Sequence, residues 1–178
     1  MNVGAATPED YGDYFAWGET TTKSSFTNST YKWYDGYQYT KYIPYSYAYK
    51  EIMDDKSVLE LCDDAAHVNW GGDWRMPLQE EQQELLDECT WTYGAKNGVN
   101  GFHVKGPNGN SIFLPAAGND GGDGTDLYCY IWSSNIHSAS AFRYASFLYL
   151  HYEKYYGKTL TTEIYGKYRN HGMSVRPV

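Results

Sequence analysis

The stretch Asp63-Asp64-Ala65-Ala66-His67-Val68-Asn69-Trp70-Gly71-Gly72-Asp73-Trp74-Arg75-Met76-Pro77 decides the fold. Two acids ahead of an Ala-rich run suit a helix start, because carboxylates favour the positive end of the helix dipole. Gly71-Gly72 closes this short helix, since glycine takes the left-handed conformation that a helix end requires. A second helix is predicted over about 79–89. Pro77 stands near its start, where a missing N–H costs nothing, and Glu80 and Glu81 fall in the first turn. Leu78, Leu85, Leu86 and Cys89 recur at helical spacing along one face.

Working outward, the pattern turns to β from residue 90. Gly101–Val104 and Ser111–Pro115 read as strands around a Gly106-Pro107-Asn108-Gly109 turn. Tyr128–Trp132 is a further strand, and 142–156 and 165–178 read as strands or loops of a terminal meander. Ahead of the helices, 7–49 is rich in turn residues and tyrosine. It reads as a long loop over the core, with 31–49 its Tyr-rich part and Tyr45-Ser46-Tyr47-Ala48-Tyr49 an extended alternation. Two helices followed by many short strands give an α+β class in one domain over 1–178.

The chain has 178 residues and a net charge of -8, which argues against phosphate-backbone binding, so no nucleic-acid partner is expected. No apolar run approaches a membrane span, and none is expected. Met1–Pro8 lacks a basic start followed by an apolar stretch, so no signal segment is read there. The unusual number is 20 Tyr, against 6 Trp and 6 Phe. A ring that is apolar with a polar tip suits contact surfaces.

Sites with chemistry of their own are scarce. Cys62, Cys89 and Cys129 form no CxxC; buried free thiols are the simpler reading, and a Cys62–Cys89 bridge stays open. Asn119–Asp126 has calcium-like oxygens but not the EF-hand spacing, so it reads first as a solvated turn. The five histidines show no metal-ligand spacing, and Asn28-Ser29-Thr30 is a glycosylation sequon by pattern alone. No catalytic residue, metal or cofactor is assigned. The stronger signal lies in 137–171, a candidate variable ligand-binding region. Phe142, Arg143, Tyr144, Ser146, Tyr149, His151, Tyr152, Tyr155, Tyr156, Tyr165, Tyr168 and His171 have the composition of an adaptable contact surface. On alternating strands about half of such residues face inward.

Several blocks carry a family resemblance. They are Asn2-Val3-Gly4-Ala5 with Pro8–Glu19, Asp64–Pro77, Gly109–Gly118, Trp132-Ser133-Ser134 and the ending Gly172–Val178. Together these resemble the Fibrobacter succinogenes major paralogous domain family, abundant in gut Bacteroidetes and their phages. The Trp74–Pro77 block and its helix also resemble the formylglycine-generating-enzyme group. The resemblance implies a C-type-lectin-like fold with two helices, a small antiparallel sheet and long loops. Leu78 and Gln82 stand where the family commonly has Thr and Trp, which implies a lost cap and some lost core. The enzymes of the wider group hold copper with two late cysteines, and only Cys129 follows residue 90. Lectin-like folds of this type also form the variable proteins of diversity-generating retroelements, where adenine-directed mutagenesis turns Asn codons into Tyr, Ser, His, Arg or Phe. The tail is poor in Asn and rich in those products.

The expectation is a non-enzymatic domain that presents the tail to a protein or glycan on a cell surface, with oligomerisation open. Its place is a cell surface, a secreted protein or a phage particle. The alternatives are a surface-adhesion or structural module of a larger exported protein and, more remotely, a formylglycine-generating-type enzyme.

Overall fold

Asp64 organises the chain around the first helix. In the computed structural model, which describes residues 1–44, 52–120, 124–138, 142–156 and 159–178, helix α1 spans Ala65–Trp70. The Asp64 Oδ1 accepts from the Ala66 and His67 amides at 2.8 and 3.0 Å, satisfying donors that a helix start leaves free. Its Oδ2 accepts from the Met76 amide at 2.8 Å, which binds the helix start to the Arg75-Met76-Pro77 segment. Gly71 ends α1 with φ 68, a value that favours glycine.

Helix α2, Gln79–Glu88, follows at once. Leu78 carries no capping side chain, and the cap arrives from elsewhere: Asn135 Oδ1 accepts from the Gln79 amide at 2.8 Å. Glu81 accepts from the Leu78 amide at 2.8 Å and takes both Arg75 NH groups at 2.6 and 2.7 Å. The predicted face of Leu78, Leu85, Leu86 and Cys89 is only half-buried, and the buried residue of α2 is Gln82, at 1% exposure.

Among the described residues eight strands form two sheets: β1 (Tyr14–Phe15), β2 (Thr90–Lys96), β3 (Val99–Lys105), β4 (Ser111–Pro115), β5 (Tyr128–Ile136), β6 (Tyr144–Tyr152), β7 (Leu160–Tyr168) and β8 (Met173–Ser174). β2, β3 and β4 make a small antiparallel sheet. The larger sheet runs β1-β8-β5-β6-β7. It is antiparallel except where β8 meets β5 in parallel at Ile131 and Ser174. β1 pairs with β8, so the two ends of the chain lie side by side. The class is α+β, as expected, with mixed pairing in the large sheet.

Both faces are covered over 131–134 of β5 and 145–148 of β6, which removes the alternation of a half-exposed strand there and leaves it toward Tyr128 and His151. Trp132, Ala145 and Phe147 pack with Phe15, Trp17, Ala65, Ala66 and Met76 on one side. Ile131, Leu148 and Leu150 pack with Phe102, Val104 and Leu114 on the other. Two indoles stitch the first core: Trp17 Nε1 donates to the Ser133 carbonyl and Trp132 Nε1 to the Phe15 carbonyl, both at 2.8 Å. The register slips between Trp132 and Ile136, and this irregular stretch sends Asn135 to the start of α2. Among the described residues no helix is long and apolar enough to cross a membrane.

Candidate ligand-binding cleft

The described part of the Tyr-rich loop is held in place by one buried arginine. Tyr31, Tyr39 and Ile43 form a small core with Ala16, against which Tyr34 and Phe142 pack. Arg169, just past β7, is fully buried. Its NH1 donates to the Lys41 and Tyr42 carbonyls at 2.9 and 3.1 Å. Its guanidinium carbon lies 4.4 Å from the Tyr39 ring centroid and 5.6 Å from those of Tyr31 and Trp17. Burial lowers the Arg169 pKa, and the phenols around it act the other way. The Arg169 backbone continues the tie, accepting from the Trp17 amide at 2.8 Å.

This arrangement opens a cleft of about 580 Å³ between the loop and the end of β7. Tyr34, Tyr37 and Tyr39 form one wall, with Phe26, Thr27 and Asn28 beside them. Arg143, Tyr168, Asn170 and His171 form the other. Asn170 Nδ2 reaches across to the Phe26 carbonyl at 3.4 Å. Tyr37 is 88% exposed, a large ring with little to hold it except solvent. Tyr144 meets Tyr168 edge-on at 4.6 Å, and their hydrogen bond raises the Tyr144 pKa. His171 Nδ1 lies 3.6 Å from Asp120 Oδ1. Phenols, two amides, a guanidinium and an imidazole can stack on flat faces and bond to hydroxyl, carbonyl or anionic groups.

The twelve residues expected to form a binding region are divided among four places. Arg143, Tyr168 and His171 line the cleft, and Phe142 and Tyr144 support it through Tyr39 and Tyr168. Tyr149, His151 and Tyr165 lie on one face of the large sheet. There Tyr128 stacks on His151 at 4.2 Å, Tyr130 faces Tyr149 at 5.7 Å, and Tyr149 meets Tyr165 at 5.3 Å. Tyr155 and Tyr156 stand exposed beyond the end of β6. Ser146 and Tyr152 belong to the opposite face, and Ser146 corrects the expectation. Ser146 is fully buried and its hydroxyl donates to Gln79 Oε1 at 2.6 Å. Tyr152 stacks flat on Tyr93 at 4.0 Å against the second core. The reason is the two-residue period of β6, which sends alternate side chains inward.

The remaining motifs supply little chemistry. Cys62, Cys89 and Cys129 are all free thiols, so the Cys62–Cys89 bridge is not formed. Burial pushes the Cys129 thiol up to about 12, and a thiol so held offers no thiolate at neutral pH. Glu60, Cys62 and Asp63 come close together, but the carboxylates already accept from Lys32, Lys41, Lys56 and the Tyr42 hydroxyl. In the Asn119–Asp126 loop, residues 121–123 lie outside the described residues. Asp126 accepts from the Tyr11 hydroxyl at 3.3 Å, and Asp120 from the Gly172 amide at 3.0 Å. Tyr45, Tyr47 and Tyr49 also lie outside the described residues.

The cleft residues missing from the predicted set are Phe26, Thr27, Asn28, Tyr34, Tyr37, Tyr39 and Asn170. A signal existed for Tyr34, Tyr37 and Tyr39, since eight of the tyrosines fall in 31–49. What spacing does not reveal is that Arg169 draws this loop against the tail. Comparisons with protein-family models, curated proteins and solved structures return no match to this chain.

Proposed function

We propose that the chain is a non-enzymatic ligand-binding domain with a C-type-lectin-like fold. It presents the tyrosine-lined cleft and the neighbouring tail residues to a protein or glycan on a cell surface, as the variable protein of a diversity-generating retroelement. One observation carries this reading: two Tyr-rich segments more than a hundred residues apart in sequence meet at a single cleft. Supporting it, Tyr37, Tyr168 and Arg143 are exposed and available at the cleft. The paired chain ends, the two helices and the long loop agree with the proposed fold. Exposed aromatic anchors with an arginine are the residue types that dominate binding energy at interfaces.

The test is a panel of cell-surface glycans and proteins, probed with the wild-type chain and with Tyr37→Ala/Tyr168→Ala. Both side chains are exposed, so the double variant keeps its melting temperature. Binding to the selected ligand falls at least tenfold. A double variant that binds as well as wild type removes the cleft from the reading. Diversification is tested in the coding DNA: a near-identical repeat differing opposite adenines, beside a reverse transcriptase, is expected.

A further inference from the structure

A second cavity, about 310 Å³, lies under α2 and shares no residue with the tyrosine cleft. Its lining is almost entirely apolar, with Trp70, Trp74, Leu85 and Ile131 among its walls. The two indoles meet edge-on at 5.2 Å, and Trp74 is 47% exposed, so it stands where solvent reaches the cavity. Two polar side chains interrupt this lining, Gln82 and Arg176.

Both have a buried atom with no hydrogen-bond partner among the described residues: Gln82 Oε1 and Arg176 NH1. The orientation of Gln82 follows from its other end. The amide nitrogen donates to the Ile131 and Trp132 carbonyls at 3.1 and 3.3 Å, and two carbonyls can be met only by the nitrogen. The oxygen is therefore the atom left over. Burial lowers the Arg176 pKa, and among the described residues no Asp or Glu side chain lines the cavity to neutralise it. A buried polar atom without a partner is costly, and a charged one more so. Both side chains belong to the wall of the same apolar cavity. An apolar pocket with a few convergent polar groups is the usual form of a small-molecule site.

We propose that this cavity binds a small aromatic carboxylic acid bearing a ring N–H or O–H. The carboxylate meets Arg176, the N–H or O–H meets Gln82, and the ring lies against the tryptophans and Leu85. Arginine suits the carboxylate because its planar fork can take both oxygens. The site does not depend on the function assigned to the tyrosine cleft.

The experiment is calorimetric titration of the full chain at neutral pH with three probes: indole-3-propionate, indole-3-propanol without the carboxylate, and 3-phenylpropionate without the ring N–H. For a ligand of this size a Kd on the order of 0.1 mM is expected for indole-3-propionate. The alcohol binds at least tenfold more weakly and the phenyl acid several-fold more weakly. Arg176→Met removes the preference for the acid over the alcohol, and Leu85→Trp, which fills the cavity, abolishes binding of all three. Melting curves of both variants confirm folding, and Arg176→Lys, which keeps the charge, retains part of the preference. The proposal is overturned if indole-3-propionate shows no binding at millimolar concentration. It is equally overturned if acid and alcohol bind alike, or if folded Arg176→Met binds the acid as wild type does.

Discussion

Replacing Arg169 by Met tests how the cleft is built. Methionine fills much of the same volume but donates nothing. Two hydrogen bonds from a charged group, at 2.9 and 3.1 Å, are lost, and the Lys41 and Tyr42 carbonyls lose those donors. Such bonds contribute about 1.5–3 kcal/mol each. The ring contact at 4.4 Å with Tyr39 adds about 1 kcal/mol. Against this, among the described residues the buried guanidinium has no carboxylate hydrogen-bonded to it and its Nε and NH2 have no partner, so removing it returns about 2 kcal/mol of desolvation. The net loss is about 3 kcal/mol, equivalent to about 6–12 °C in melting temperature for a chain of this length. The assay pairs thermal unfolding with amide hydrogen exchange. Amides of residues 31–44 exchange faster through local opening, while those of β5 and β6 change only with global stability. Arg169→Lys keeps the charge but not the planar face, and falls between the two proteins. Ligand binding weakens in Arg169→Met although the residue does not line the cleft. An Arg169→Met protein that melts at or above the wild-type temperature would refute this account, because desolvation would then outweigh everything the guanidinium holds.

Three further predictions concern the scaffold. Asp64→Ala removes the cap of α1 and strands the buried Met76 amide, so it lowers stability by about 3 kcal/mol; Asp64→Asn recovers part, as denaturant unfolding will show. Tyr152→Ala loses the flat stack on Tyr93 and costs about 2 kcal/mol, whereas Tyr165→Ala, on the exposed face, changes the melting temperature by no more than about 2 °C. The Arg75 guanidinium beside Glu81 holds its carboxyl below the ordinary 4.5, so the stabilisation is complete above that value and is lost as pH falls through the folded pKa. Glu81→Gln is accordingly less stable than wild type at pH 7, and the gap closes on acidification; an unchanged gap at pH 3 would contradict the pairing.

The sequence alone determined the local elements. Acid-Ala-Gly order marked α1, helical spacing marked α2, and the Gly-Pro-Asn-Gly turn marked the β3–β4 hairpin, because these depend on contacts within a few residues. It also located both Tyr-rich segments. The tertiary structure decided which tyrosines are free. Ser146 and Tyr149 look alike as members of a polar-aromatic tail, yet β6 is covered on one face by α2 and the small sheet and open at one end of the other. Gln82 reads as a poor core residue until its nitrogen finds two sheet carbonyls. The cap of α2 comes from Asn135, 56 residues away. Arg169 reads as an ordinary surface cation until the fold surrounds it with three aromatic rings. Each of these depends on long-range packing, in which a side chain's role is set by what the chain brings against it and not by its neighbours in sequence.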